Sequence, residues 1–261
     1  MSDIKTLGID LAKNVFQLHA ADAAGKALFK KRLSRKEFID FMPKVDCECV
    51  VMEACGGANH WARKFMSLGH TVKLISPQFV KPYVKTNKND AKDAEAICEA
   101  ASRESMVFVN PKNVEQQDIQ SIHRIRQGYL GHRTELGNRI RGILQEYGVV
   151  IPQGVIKLRK ALPLIIEDGE SELTMRLRVI LQDLYEELVH LNKKIQKYDA
   201  ILEGIVKEKA PCERLMTIPG IGVMTATCLY STLGDGKAFH NGRHVAAFLG
   251  LVPKQQSSGN K

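Results

Sequence analysis

The sequence has 261 residues, of which 44% are hydrophobic and 26% charged, with 38 lysines and arginines against 29 aspartates and glutamates. This composition is that of a globular protein with a sizeable core, and it excludes a mainly disordered chain. No apolar run approaches the roughly 20 residues that a membrane-spanning helix needs. The N-terminus lacks the apolar core of a signal peptide, so we expect a cytoplasmic protein with no membrane partner. The net charge of +9 indicates an anionic partner, most simply nucleic acid.

The first 110 residues alternate between strand-like and helix-like patterns. The predicted strands are residues 6–10, 15–20, 27–33, 49–52 and 72–75, and the predicted helices follow Ser34, run through Trp61 to Met66 and cover 90–101. Three strands in meander order, followed by alternating helices and strands, are typical of an α/β domain of the RNase H-like class.

The middle of the chain has a helical pattern. From Leu177 to Ile205, apolar residues recur at alternating steps of four and three, which is typical of a heptad seam. A second helix precedes it, with apolar residues on one side from Ile122 to Tyr147, and prolines and glycines, Pro163 among them, interrupt the pattern between the two. Residues 111–209 are expected to form a coiled-coil arm that is antiparallel, dimerises, or does both. A compact helical bundle is the alternative.

The first arm helix is locally basic. Arg124, Arg126 and Arg133 are candidates for contacts with phosphates. For any one of them, an ordinary solvated surface position is the alternative.

Four acidic residues form the main candidate site. Asp10 and Glu53 end two predicted strands, and Asp90 and Asp93 are three residues apart on a predicted helix, so that both carboxylates point the same way. Parallel strands carry functional groups at their carboxyl ends. Four converging carboxylates would repel one another unless they shared divalent cations, and Mg²⁺ prefers such oxygen ligands. Two such ions suit phosphodiester chemistry.

Positive charge accompanies the acids. Five lysines lie between residues 73 and 92, among them Lys85 and Lys88. The segment GIDLAK also resembles the first phosphate loop of actin-like sugar kinases. Those kinases carry Gly-Gly or Gly-Thr after the aspartate, where this sequence has Leu11 and Ala12. A kinase is therefore the less favoured interpretation.

The last part of the chain, residues 210–261, contains short helical patterns around IPGIG at Ile218–Gly222. This motif is typical of a helix-hairpin-helix, in which Gly220 and Gly222 would let the backbone approach a phosphate. A plain tight turn between helices is the alternative. Ser257 and Ser258 precede a glycine in a polar tail that, on its residues alone, is an ordinary flexible terminus.

Taken together, the motifs resemble a known family. GIDLAKNVFQLH, VVMEACGGANHWA, KNDAKDAEAI, LMTIPGIG and HVAAFLGLVPKQQSSG look like the DEDD-plus-serine transposases of bacterial insertion sequences. These are relatives of the Piv-type DNA invertases, recently recognised as bridge-RNA-guided recombinases. The resemblance implies a RuvC-like (RNase H-like) catalytic domain at 1–110, a coiled-coil arm at 111–209 and a C-terminal transposase domain at 210–261.

The resemblance also implies roles for particular residues. Asp10, Glu53, Asp90 and Asp93 match the catalytic, metal-binding tetrad, for which we expect Mg²⁺, and Ser258 matches the serine that attacks a DNA phosphodiester to form a covalent phosphoserine link. The implied partners are DNA, a guide (bridge) RNA and further copies of the chain, as a dimer or tetramer held through the arm. The implied location is the bacterial cytoplasm, at the nucleoid when bound to DNA.

The sequence departs from the family at its end. Relatives continue with basic helical sequence after the serine, whereas this sequence stops three residues after Ser258, so we expect a C-terminally truncated chain. Two other functions remain open at this point. One is a metal-dependent, junction-resolving nuclease, and the other is an inactive truncated product that only binds nucleic acid.

Overall fold

A computed structural model describes residues 3–84, 90–237 and 239–251, and for residues 90 and 91 it describes only the helix to which they belong. The chain divides into two compact units, Met1–Asn113 and Val114–Lys261. Each unit has its own hydrophobic clusters, so each is described by itself.

The first unit is a mixed sheet with helices. Its strands are β1 Thr6–Leu11, β2 Val15–Ala21, β3 Ala27–Ser34, β4 Cys49–Glu53, β5 Val72–Ile75 and β6 Phe108–Val109. Its helices are α1 Arg35–Phe41, α2 Ala58–Ser67, α3 Pro77–Val80 and α4 Asp90–Ala101, with short 3₁₀ turns at Met42–Lys44 and Lys81–Tyr83. The five predicted strands and the predicted helices of this unit are all present, and the four-residue α3 and the two-residue β6 are additions.

The strands lie in the order β3-β2-β1-β4-β5-β6. β1, β2 and β3 form an antiparallel meander, β4 and β5 are parallel to β1 and to each other, and β6 returns antiparallel to β5. This mixed sheet with its helices fits the RNase H-like domain expected from the sequence. β1 lies inside the sheet between β2 and β4, so Asp10, near its carboxyl end, has a strand on either side.

The sheet is covered on both faces. On one face, Leu7 and Ile9 of β1 join a buried cluster that includes Phe16, Phe38 and Phe65. On the other face, Val51 of β4 packs with Ala96, Ile97 and Ala100 of α4. Because side chains alternate along a strand, every second residue of β1 and β4 faces α4.

Ser34 begins α1 as the sequence predicts. Its side-chain oxygen accepts a hydrogen bond from the Glu37 backbone N–H at 3.4 Å, and Glu37 in turn accepts one from the Ser34 backbone N–H at 2.8 Å. This capping box satisfies two N–H groups that have no partner within the helix. It secures the helix that buries Phe38 against the sheet.

The second unit is helical in its described part. Its helices are α5 Val114–Gln145, α6 Val155–Glu167, α7 Met175–Glu208, α8 Ala210–Met216, α9 Val223–Leu233 and α10 Gly242–Phe248. α5 and α7 lie side by side and antiparallel, because Arg126 contacts Asp199 while Arg133, further along α5, contacts Asn192. Leucines of the predicted seam, such as Leu181 and Leu188, are fully buried.

Two expectations about the helices need correction. Pro163 does not interrupt the helical pattern but lies inside α6, where Leu158 and Leu162 are fully buried. The packing of this face offsets the roughly 3 kcal/mol that an internal proline costs a helix. The expected apolar side of α5 is also incomplete, because Ile125 is exposed and Tyr147, which is exposed too, lies beyond the end of the helix. Within the described residues, no helix is long and apolar enough to cross a membrane.

Candidate active site

Asp10 and Glu53 lie next to each other at one edge of the sheet. β1 and β4 are parallel, and Ile9 pairs in register with Met52, so the next residue on each strand is one of the two acids. Parallel strands in register place paired side chains on the same face. Asp10 shares its face with Gly8, which contacts α4, so both carboxylates lie on the face that α4 covers.

Asp93 reaches the same edge from the helix. It immediately precedes Ala94, whose carbonyl oxygen abuts Gly8 of β1. Burial raises the pKa of the Glu53 carboxyl, and the negative charge of Asp93 raises it further. Burial likewise raises the pKa of the Cys55 thiol, with additional contributions from Glu53 and Asp10. These interactions indicate that the three acids share one electrostatic environment.

The acids have the chemistry of a divalent-cation site. Carboxylate oxygens are the ligands that Mg²⁺ prefers, and a cation would relieve the repulsion between Glu53 and Asp93. Within the described ranges, no three His, Cys, Asp or Glu side chains are close enough to hold a metal ion together. The side chain of Asp90 lies outside the described residues, as do Lys85, Lys88 and Ser258.

The candidate phosphate-binding arginines of α5 have different surroundings. Arg124 is exposed, whereas Arg126 is half-buried in an ion pair with Asp199 and Arg133 donates to the Asn192 side-chain oxygen at 2.9 Å. Arg126 and Arg133 thus help to join α5 to α7. Arg124 is the one of the three whose surroundings leave it most open to an external anion.

Arg124 borders a cavity of about 540 Å³ between α5 and α9. Polar groups from both helices line it, including His123 and Thr225. His123 Nε2 lies 2.9 Å from the hydroxyl oxygen of Thr227. Burial lowers the pKa of His123, and the positive charge of Arg126 lowers it further. The lining is mixed, and its positive charge comes from arginine side chains of α5.

The loop between α8 and α9 contains the IPGIG motif. Gly220 has a φ of 88°, a left-handed conformation that glycine adopts without strain. Gly222 is the residue before the first turn of α9, and no side chain caps that turn. The backbone N–H groups at the start of α9 are therefore not satisfied by a capping side chain.

Two residues next to the site, Gly8 and Cys98, were not predicted from the sequence. The Gly8 backbone N–H donates to the Cys98 Sγ at 3.1 Å. A glycine inside a strand pattern is a signal of close backbone approach and could have directed attention to this contact. No comparable signal marks Cys98, which has the pattern of an ordinary buried residue of α4.

Comparison with known proteins gives consistent matches over most of the chain. A family model for DEDD-type IS110 transposases matches residues 7–149, and one described as transposase of the IS116/IS110/IS902 family matches residues 212–261. The transposase for insertion sequence element IS1111A of Coxiella burnetii is 49% identical over all of this chain and 72% of its own length. A pilin gene-inverting protein of Moraxella lacunata is 22% identical over 80% of this chain and 58% of its own.

Among solved structures, RuvC of Thermus thermophilus matches with a TM-score of 0.31 and 15% identity, over 40% of this chain and 99% of RuvC. The family itself is established by the sequence matches. Transposases of the DEDD type generally use divalent metal ions. The chain belongs to the IS116/IS110/IS902 family of transposases, which are enzymes that cleave and rejoin DNA.

Proposed function

We propose that this transposase cuts and rejoins the DNA of an insertion element with two sets of groups. Asp10, Glu53, Asp90 and Asp93 hold Mg²⁺, and Ser258 is the nucleophile. The supporting observation is the placement of Asp10 and Glu53 at adjacent carboxyl ends of parallel strands, on the face that α4 covers. The repulsion between Asp93 and Glu53 supports the inclusion of the helix.

Each group has a separate task in this proposal. Bound Mg²⁺ supplies positive charge to the oxygens of the DNA phosphate under attack. The four carboxylates would hold this ion at the edge of the sheet. The Ser258 oxygen forms a bond to phosphorus as its proton is removed, and the bond from phosphorus to one deoxyribose oxygen breaks. That oxygen takes up a proton and leaves as a hydroxyl group, and the reverse reaction with a second DNA end rejoins the strand.

The proposed nucleic-acid partners are DNA and a guide (bridge) RNA. Arg124, which is exposed on α5 beside a cavity of about 540 Å³, supports a phosphate contact on this helix. The start of α9 after Gly220 and Gly222 supports a second contact, in the manner of a helix-hairpin-helix. Lys85 and Lys88 are proposed to contact nucleic acid because of their position in the sequence near the acids. Arg126 and Arg133 are proposed to contribute by holding α5, the basic helix, against α7.

The middle region is proposed to serve as an oligomerisation arm. The proposed organisation has three parts, residues 1–110, 111–209 and 210–261, with a coiled coil in the second part and a dimer or tetramer as the assembly. Several apolar side chains of this region are exposed in the single chain, namely Ile156, Leu164, Met175, Val179 and Ile180. The proposed location is the cytoplasm, at the nucleoid when DNA is bound.

A covalent adduct tests the serine. The chain is incubated with labelled DNA ends of its insertion element, guide RNA and Mg²⁺, and protein–DNA adducts are separated on a denaturing gel. Ser258→Ala should abolish the adduct, because no hydroxyl remains to form the phosphoester. Ser257→Ala, the adjacent serine, is the matched control and should retain the adduct.

The alternatives give different results in this assay. A junction-resolving nuclease would cleave branched DNA with Mg²⁺ and form no adduct, and Ser258→Ala would leave its cleavage unchanged. A product that only binds nucleic acid would shift the DNA in a native gel without cleaving it. Neither alternative is favoured by the relatives, since the more similar of those described above is named as a transposase.

Direct Mn²⁺ binding tests the acids without requiring DNA cleavage. Mn²⁺ substitutes for Mg²⁺ as a spectroscopic probe, and its free concentration is followed by electron paramagnetic resonance. Asp10→Asn and Glu53→Gln should each weaken binding about tenfold, which corresponds to ~1.4 kcal/mol. Asp40→Asn, an exposed acid on α1, is the control and should bind like the parent. Equal binding by all four proteins would remove the acids from the proposal.

A further inference from the structure

Gly8 of β1 and Cys98 of α4 are in unusually close contact. A Cβ atom at Gly8 would lie 2.6 Å from the Ala94 carbonyl oxygen and 2.6 Å from the Cys98 Sγ. Real Cβ atoms do not approach neighbours so closely, and the carbonyl belongs to the helix backbone. The absence of a side chain at Gly8 is therefore what allows α4 to lie at its present distance from the sheet.

The Cys98 thiol connects the helix to two strands. Its sulfur accepts a hydrogen bond from the Gly8 backbone N–H at 3.1 Å and donates one to the His19 backbone carbonyl of β2 at 3.2 Å. Burial is the main cause that raises the pKa of this thiol to about 12, so it is a neutral donor at physiological pH. The two hydrogen bonds fix the position of α4 along β1 as well as its height above the sheet.

The acids lie at matching distances from this contact. α4 runs antiparallel to β1, because Cys98 near its end also approaches the Thr6 carbonyl at the start of β1. Asp93 is five residues before Cys98, which is roughly 7.5 Å along a helix. Asp10 is two residues after Gly8, which is roughly 6.6 Å along a strand. The contact therefore aligns Asp93 with Asp10 at the same edge.

We propose that Gly8 and Cys98 are positioning residues for the acidic edge, which set the separation of Asp93 from Asp10 and Glu53 and thereby the affinity of the edge for a divalent cation. This rests on the proposed function, in which these acids hold the metal. Neither residue touches the metal or the DNA in this proposal. Their effect is exerted through the placement of α4.

The test measures Mn²⁺ affinity and stability together on the full chain. Binding is followed by electron paramagnetic resonance at a temperature well below the melting temperature of every variant, and the free energy of unfolding is measured in urea. Gly8→Ala and Cys98→Ala should each weaken Mn²⁺ binding by about tenfold or more, as removal of a supporting residue does at other metal sites. Cys98→Ser retains a donor and an acceptor at this position and should bind within about threefold of the parent.

Cys47→Ala is the matched control for stability. Cys47 is a buried cysteine of the same unit, in the cluster on the opposite face of the sheet. It should reduce the free energy of unfolding without changing Mn²⁺ affinity. If Gly8→Ala does not fold, the three cysteine variants still decide the matter.

The outcomes separate this inference from the proposed function. If Asp10→Asn weakens binding while Gly8→Ala and Cys98→Ala bind like the parent, the positioning role is wrong and the metal site stands. If affinity falls in Cys47→Ala as well, in proportion to stability, the effect is a general loss of structure and the inference is overturned. If Asp10→Asn leaves Mn²⁺ binding unchanged, both the metal site and the positioning role are wrong.

Discussion

Glu53 ends a buried strand with a charge that the surrounding protein disfavours. Burial is the main cause of its raised pKa, and the charge of Asp93 is the second. In the absence of a cation, ionised Glu53 therefore destabilises the folded chain relative to the unfolded one, where the carboxyl is in water. A cation bound at this site would offset the destabilisation, because its positive charge favours the ionised carboxylates.

The first prediction follows from this charge. In EDTA at pH 7.5, Glu53→Gln should raise the melting temperature, because it removes a carboxylate that burial and Asp93 disfavour. The sign of the pH dependence follows from the raised pKa. Below the ordinary glutamate pKa, Glu53 is protonated in both states and there is no penalty. The penalty grows as pH rises above that value and is complete above the raised pKa. The gain in the variant should therefore shrink as pH falls toward the ordinary glutamate pKa of about 4.3.

Thermal melts followed by circular dichroism over this pH range measure the effect. Asp40→Asn is the control, because Asp40 is exposed. The melting temperature of this variant should follow that of the parent at every pH. A variant that is less stable than the parent at pH 7.5 in EDTA would contradict the electrostatic interpretation of Glu53.

The sequence predicts residue types at the site better than it predicts their contacts. Asp10, Glu53 and Asp93 could be found because acids at strand ends and on one helix face form a recognisable pattern. The ion pair between Arg126 and Asp199 could not be predicted, because the two residues are 73 positions apart and their proximity depends on how two helices align. The contact between Gly8 and Cys98, 90 positions apart, was missed for the same reason.

At the scale of elements, local patterns predicted most of the first unit. Strands and helices there follow from alternation, capping and helical periodicity, which are properties of neighbouring residues. β6 was missed because two residues carry no periodicity, and its pairing with β5 is a long-range contact. The continuation of α6 through Pro163 was missed because packing by Leu158 and Leu162 outweighs a local preference.

The heptad pattern of α7 predicted a helix that needs a partner, and α5 of the same chain is one such partner. At the end of α7, Val206 is buried more deeply than Ile205, the last residue of the predicted seam. Val206 packs with Cys212 of α8 and Ala226 of α9, in a cluster separate from the leucine cluster of α5, α6 and α7. The heptad pattern did not predict this contact, because it depends on the helices that follow α7.

The second prediction concerns the pairing of α5 with α7. Arg126→Ala should reduce the free energy of unfolding by about 1–3 kcal/mol, because it leaves Asp199 without its half-buried partner. Arg139 is the matched control on the same helix, since it pairs with Glu135 one turn away and both side chains are mostly exposed. Arg139→Ala should cost about 0.5 kcal/mol or less.

Urea unfolding followed by circular dichroism at 222 nm compares these two variants. Equal losses of stability would show that Arg126 does not hold α5 to α7. In that case Arg126 would be a candidate for direct contact with nucleic acid.

At the scale of the whole molecule, the chain consists of two units with separate hydrophobic cores. One cluster of the first unit contains four buried aromatic residues, Phe16, Phe38, Trp61 and Phe65, whereas the main cluster of the second consists largely of leucines from α5, α6 and α7. The candidate acids all belong to the first unit, while Arg124 and the hairpin glycines belong to the second. The proposed cation site and the phosphate contacts proposed for Arg124 and the hairpin glycines are therefore built on separate cores.

The third prediction uses this division. Residues 1–113 expressed alone should unfold in one cooperative transition with a stability of about 5–15 kcal/mol, as single domains of this size do. The fragment should also bind Mn²⁺ with the affinity of the full chain, because all four acids are present. Chemical denaturation and the resonance assay measure the two properties. A fragment that folds but has lost Mn²⁺ binding would place part of the site in the second unit.

The spacing of the acids along the chain has a consequence for protein synthesis. β1 and Asp10 leave the ribosome early, but α4 must pack against β1 before Asp93 reaches the edge, and its last residue is Ala101. At about 5–20 residues per second, a nascent chain spends several seconds with Asp10 made and α4 still missing. The acidic edge is therefore incomplete during that interval. A newly made transposase acquires it only after the whole first unit has emerged and folded.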